Sequence, residues 1–108
     1  MGLFDKMFGG EDPGRIGDSF AMTIEDIFHI SGRGVVVTGK VASGVIKVGV
    51  RAVVRSGAGA EKVCRVTGIE LARENRDHAA AGENVGVLLT GIERDDVKAG
   101  DTLKNAAA

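Results

Sequence analysis

Residues 20–40 read FAMTIEDIFHISGRGVVVTGK, two apolar runs on either side of a glycine turn. Phe20, Met22, Ile24, Phe28 and Ile30 share one parity, broken only by Asp26, which is the pattern of a strand with one buried face. Ser31-Gly32-Arg33-Gly34 is a turn signal. Val35, Val36, Val37 and Thr38 then supply a second strand of β-branched side chains, which fit a pleated surface better than a helix. The same residues invite a different reading, because Gly34 to Lys40 spells G-x-x-x-x-G-K, the opening of a phosphate-binding loop. Magnesium ligation requires Ser or Thr at the next position, and that position is Val41. Nothing after Val41 reads as the helix whose N-terminus would face the phosphates. The string is strand.

Further short strands are expected around Ile46 to Val48, Ala52 to Arg55, Lys62 to Leu71, Val85 to Thr90 and Thr102 to Leu103. Gly44, Gly49, Gly57, Gly59, Gly82, Gly91 and Gly100 punctuate them, and only Arg94 to Lys98 reads as a helical turn. Short strands with glycine turns point to an all-β barrel or sandwich, and closure into a barrel removes exposed edges. Upstream, Gly9 to Asp18 carries four Gly and the only Pro and reads as a linker. Before it, Leu3, Phe4, Met7 and Phe8 recur so that a short helix would gather them on one side. So short a helix is marginal in water unless that side docks, which makes these four residues candidates for partner binding. The start MGLFDK has Lys6 where a myristoylation signal needs Ser or Thr, so no lipid is expected. The expected organisation is an apolar segment and linker over 1–18, a barrel over 19–104 and a disordered tail over 105–108.

Composition narrows the function classes. The 108 residues suffice for one domain with a modest core, built from aliphatics because there is no Trp or Tyr. Fourteen basic residues face fifteen acidic ones with no basic run, which excludes tracking along an extended duplex but not recognition of a nucleic-acid tip. Cys64 alone cannot form an internal disulfide, no apolar run reaches the roughly 20 residues of a membrane span, and no signal-peptide stretch is evident. A cytoplasmic protein without cofactors follows. The residues offer catalysis no support. His29 and Ser31 lack an orienting carboxylate at a telling spacing, and two His with one Cys make no metal-ligand pattern. The adjacent Glu25 and Asp26 are expected on opposite strand faces, and Cys64 lies in an apolar strand as a small core residue.

Residues 24–40, Thr67 to Leu71, Ala81 to Ile92 and Arg94 to Leu103, in this order, resemble the β-barrel second domain of elongation factor Tu and related translational GTPases. The resemblance implies a small closed, Greek-key-like barrel of about six or more short antiparallel strands. In that factor the barrel receives the aminoacylated terminal adenosine of transfer RNA. Carried over residue by residue, the adenosine side falls on Ile30, Gly32, Val36, Glu70 and Leu88, with Glu70 as acceptor for a ribose hydroxyl. The aminoacyl side falls on Glu25, Asp26, Phe28, Thr38 and Asn84, with Arg73 nearby. Ala72 stands where the family has an aromatic residue or His, and His29 replaces a small hydroxyl residue. Read without the resemblance, Ile30, Val36 and Leu88 serve equally as barrel core, Gly32 and Asn84 as turn residues, and Glu70 as a carboxylate in an apolar strand pattern that needs a partner.

The chain leaves no room for a GTPase domain, so the family's hydrolysis is not expected here. Two functions follow: a translation-linked module recognising a transfer RNA acceptor end or ribosomal RNA, or an adaptor for a protein partner or a second copy through the barrel face or the N-terminal cluster. The purified protein is expected to show no GTP turnover above background, with Lys40→Ala indistinguishable from it in a phosphate-release assay. Turnover that Lys40→Ala abolishes would overturn the strand reading of 34–40.

Overall fold

The alternation read at Val35 and Val37 continues through Val41 on the inner side of a strand longer than its sequence pattern indicates. The computed structural model describes residues 19–106. In chain order the strands are β1 (Phe20–Ile30), β2 (Gly34–Lys47), β3 (Arg51–Arg55), β4 (Glu61–Leu71), β5 (Glu74–Arg76), β6 (His78–Ala80), β7 (Asn84–Thr90) and β8 (Thr102–Asn105). The stretch around Ile46 that reads as a separate strand is the end of β2. The sheet runs β1-β8-β3-β4-β7-β2 and returns to β1, closing six antiparallel strands into a barrel, with β5 added on β4 and β6 on β2. This is the all-β closed barrel expected. A 3-10 turn at Arg94–Asp96 lies inside the expected helical turn, and the Glu93 N–H donates to Asp96 Oδ2 at 3.1 Å.

Buried side chains from every barrel strand fill the interior, among them Met22, Ile24, Val37, Val54, Val66, Leu89 and Leu103. Asp101 is the one buried charged residue among those described, and its Oδ2 accepts the Lys98 N–H at 2.9 Å. The expected tail starts one residue too early. Asn105 belongs to β8 and its Oδ1 accepts the Phe20 N–H at 3.1 Å, while the Ala106 N–H donates to the Arg51 carbonyl. These bonds tie the chain end to two strands. The N-terminal cluster and linker lie outside the described residues.

One irregularity changes the reading of β1. The β1–β2 register steps from Ile24↔Gly39 to Asp26↔Thr38, so Glu25 is an extra residue, a β-bulge. Because side chains alternate with period two, one extra residue exchanges the faces of everything after it. Ile27 now packs against the core, and Phe28 and Ile30, expected on the buried face, are 55% and 38% exposed. The bulge also leaves Glu25 and Asp26 both exposed, where simple alternation places them on opposite faces.

Closure brings β1 very close to β2. A Cβ on Gly39 would overlap the Thr23 carbonyl oxygen, and one on Gly44, at φ +73, the Ser19 carbonyl oxygen. Gly39→Ala is therefore expected to lower stability by roughly 1–3 kcal/mol in urea unfolding, the usual cost of overpacking. Gly57→Ala, where an added Cβ meets nothing within 4 Å, serves as the near-neutral control. Burial pushes the Cys64 thiol from 9.0 up to about 11. The folded state holds that proton more tightly than the unfolded state, so this contribution to stability is fully present below pH 9 and is lost as pH rises through about 11. A thiol reagent at pH 8 is expected to react with Cys64 only as fast as the barrel opens, and immediate stoichiometric labelling would contradict the burial.

Candidate binding groove on the outer barrel wall

Strand register places the outward side chains of five strands in cross-strand rows about 4.8 Å apart. One row runs Phe28–Val36–Leu88–Gly68 over β1, β2, β7 and β4. The next runs Asp26–Thr38–Gly86–Glu70–Asn75, reaching β5. The first row is apolar and the second polar, and each contains a glycine whose missing side chain leaves a depression. A Cβ on Gly86 would sit 3.6 Å from Val36 Cγ1 and 3.9 Å from Thr38 Cγ2, ordinary contact distances. Packing therefore does not demand this glycine. A glycine inside a strong strand, with no steric need for one, marks a place where a ligand can approach the backbone.

Two hollows meet along this line. The larger, about 530 Å³, is lined by Ile30, Val36 and Leu88 with Gly68, Gly86 and Glu70. Arg33, Val48 and Thr67 also line it, as do Asn75, Arg76 and Asp77 of the β5–β6 segment. The second, about 380 Å³, is lined by Glu25, Thr38, Asn84, Ala72 and Arg73. Glu70 and Gly86 line both. Asp77 lines the first hollow, and outside that lining His78 Nδ1 lies 2.7 Å from Asp77 Oδ1, a hydrogen bond that holds the Asp77 carboxyl below its ordinary value. Ala72 and Arg73 form the two-residue turn between β4 and β5 with φ of +53° and +69°. A tight hairpin requires positive φ at both positions, which Asn-Gly supplies freely and which costs other L-residues roughly 1–2 kcal/mol each. The strained turn carries Arg73 to the rim of the second hollow.

The structure thus brings Ile30, Val36, Glu70 and Leu88 together in one hollow and Glu25, Thr38, Glu70, Arg73 and Asn84 in the other. It does not bring Gly32 there. Gly32 lines a separate hollow of about 290 Å³ at the β1–β2 turn with His29 and Glu93. Asp26 and Phe28 stand in the two rows, at the margin and outside the lining. Ile30 is exposed and Val36 and Leu88 are half-buried, so none of the three is barrel core. Glu70 is exposed rather than enclosed in an apolar strand, and no ion pair joins it to Arg73 among the described residues. Sequence reasoning missed Arg33, Gly68, Gly86, Asn75, Arg76 and Asp77. Gly86 had a signal, a glycine within an apolar strand, whereas the polar triplet Glu74–Arg76 shows no strand periodicity at all.

An apolar platform beside a carboxylate, a hydroxyl and an amide can take a flat ring on one side and hydroxyl or amino groups on the other. Among the described residues, no group of three or more His, Cys, Asp or Glu is placed to hold a metal ion, and no helix is long and apolar enough to cross a membrane.

Comparison with known proteins agrees with this architecture. Residues 34–104 match the family described as elongation factor Tu domain 2. Among solved structures, translation elongation factor SelB from Methanococcus maripaludis in its apo form matches at 30% identity with a TM-score of 0.70. That match covers 81% of this chain and 19% of the SelB chain, so this chain spans under a fifth of its relative. The chain belongs to the elongation factor Tu domain 2 family.

Proposed function

We propose that this barrel is a non-catalytic, translation-linked binding module of the cytoplasm whose outer groove receives an RNA tip, either an aminoacyl-adenosine end or an unpaired nucleotide of ribosomal RNA. The observation that carries the reading is an apolar row lying beside a polar row, with the two hollows along them sharing Glu70 and Gly86. A purine ring would lie on Ile30, Val36 and Leu88, since base contact with apolar and planar groups tolerates a site without sequence-reading donors. A ribose hydroxyl would donate to the Glu70 carboxylate, which as an ionised acceptor makes the stronger kind of hydrogen bond. An aminoacyl group would extend toward Glu25, Thr38 and Asn84, with Arg73 at the rim. The groove is open to solvent, so affinity for the isolated tip is about millimolar, some 4 kcal/mol.

A second reading, a protein adaptor, draws on Phe28, 55% exposed at the margin of the same wall. An NMR titration with an aminoacylated adenosine separates the two. Amide shifts are expected at Val36, Gly86 and Leu88. Because Glu70 is exposed, Glu70→Ala is expected to weaken binding only about fivefold, about 1 kcal/mol. Gly86→Ala, which places a methyl on the floor shared by both hollows, should weaken it at least as much without moving the melting temperature. No shift for the wild-type protein, or the same shift map in both variants, would remove the RNA-tip reading in favour of the adaptor.

A further inference from the structure

The far side of the ring carries a second set of rows. Ala21–Lys104–Val53–Val63 run across β1, β8, β3 and β4, flanked on one side by Thr23–Thr102–Arg55–Glu61 and on the other by Arg51–Arg65–Thr90. Arg51 and Arg65 are directly opposed, an arrangement of like charges that destabilises a sheet. Arg65 Nη1 donates to the Gly49 carbonyl at 2.9 Å, which holds it in place. The one carboxylate in these rows, Glu61, is 3.5 Å from Lys104, and no carboxylate pairs with Arg51, Arg55 or Arg65 among the described residues. Between the cations Val63 is 56% exposed, beside the covered Val53.

The chain enters the barrel beside this surface. Ala21 pairs with Lys104, Phe20 bonds to Asn105, and the Ala106 N–H donates to the Arg51 carbonyl. Continuing that register puts Ser19 in the Arg51–Arg65 row, two strand spacings or about 10 Å from Arg51. The preceding residues 1–18 carry four acidic side chains, Asp5, Glu11, Asp12 and Asp18, against two basic ones, Lys6 and Arg15, and hold the apolar Leu3, Phe4, Met7 and Phe8. Between Phe8 and Ser19 the chain can extend up to about 36 Å. Val63 is only three strand spacings, about 14 Å, from the entry point. Covalent linkage through a chain this short gives an effective concentration of order millimolar, so a weak contact suffices.

We propose that residues 1–18 fold back as a strap across the outer wall of β8, β3 and β4, with their carboxylates against Arg51 and Arg65 and their apolar cluster over Val63. The strap relieves the opposed arginines and covers the exposed Val63. It leaves the groove on the other side of the barrel open.

A nitroxide attached to the full chain at Lys6→Cys tests this, the buried Cys64 remaining unlabelled. Amides of Val53, Val63 and Arg65 are expected to broaden while those of Val36, Gly86 and Leu88 do not. The broadening should be lost in Arg51→Gln/Arg65→Gln. It should also be lost in the unchanged chain at 1 M salt, where screening shortens to about 3 Å. The salt arm needs no substitution and stands even where the double variant folds poorly. Broadening centred on the Glu70 groove, spread evenly or absent would overturn the proposal. So would broadening that persists at 1 M salt. Broadening of isotope-labelled, spin-free chains mixed with spin-labelled ones would instead assign the surface to a second copy.

Discussion

Closure of β1 onto β2 is the constraint on which the rest of this barrel depends. Without that ladder the sheet would end in two free edges, and the inner faces of β1 and β2 would not be enclosed. The ladder forms because β2 presents hydrogen to β1 at Gly39 and Gly44, where any side chain would meet a carbonyl oxygen of the partner chain segment. It bends because Glu25 is inserted as a bulge, which raises local twist and lets a short-stranded sheet wrap round. Fold and site share this origin. The residue that helps the barrel close is the one that turns Phe28 and Ile30 out of the core and onto the wall.

That wall shows how a candidate binding surface arises from a structural lattice. The inner positions of β2, β4 and β7 are occupied by valine, isoleucine and leucine under tight packing. The outer positions of the same strands are free of that demand, and there the apolar row and the polar row lie side by side. Glu70 gains its place from register alone: it is opposite Gly86 on β7 and Asn75 on β5, so it stands between the two hollows. Because it stays exposed, its carboxylate carries little desolvation cost in the free protein.

The two outer walls differ in electrostatic character. On the groove side Arg33, Arg73 and Arg76 are interspersed with Glu25, Glu70 and Asp77, so no single sign dominates. On the other side three arginines and a lysine, drawn from three strands, outnumber one glutamate. In the linear chain these cations are 51, 55, 65 and 104, and no run of basic residues announces them. Overall near-neutrality thus conceals a local charge asymmetry, with the like-charged Arg51 and Arg65 directly opposed on neighbouring strands.

How much could be read in advance follows the range of the forces involved. The strands were legible because alternation, β-branching and glycine turns are local consequences of side-chain shape and backbone freedom; this covers most of β1 and β2, as well as β4 and β7. The resemblance of four segments to a known barrel also located Ile30, Val36, Glu70, Leu88, Thr38 and Asn84 on one wall. The bulge at Glu25 was not legible, since a register step exists only between two paired strands, and the faces of Phe28 and Ile30 were misread with it. Nor were β5 and β6, whose three polar or small residues each are strands only because β4 and β2 offer them free edges. Which segments extend and which turn follows from local sequence, because those choices are made within a few residues. Which side chains share a row emerges with the folded barrel alone, because it depends on cross-strand register, which hydrophobic closure of the whole ring selects.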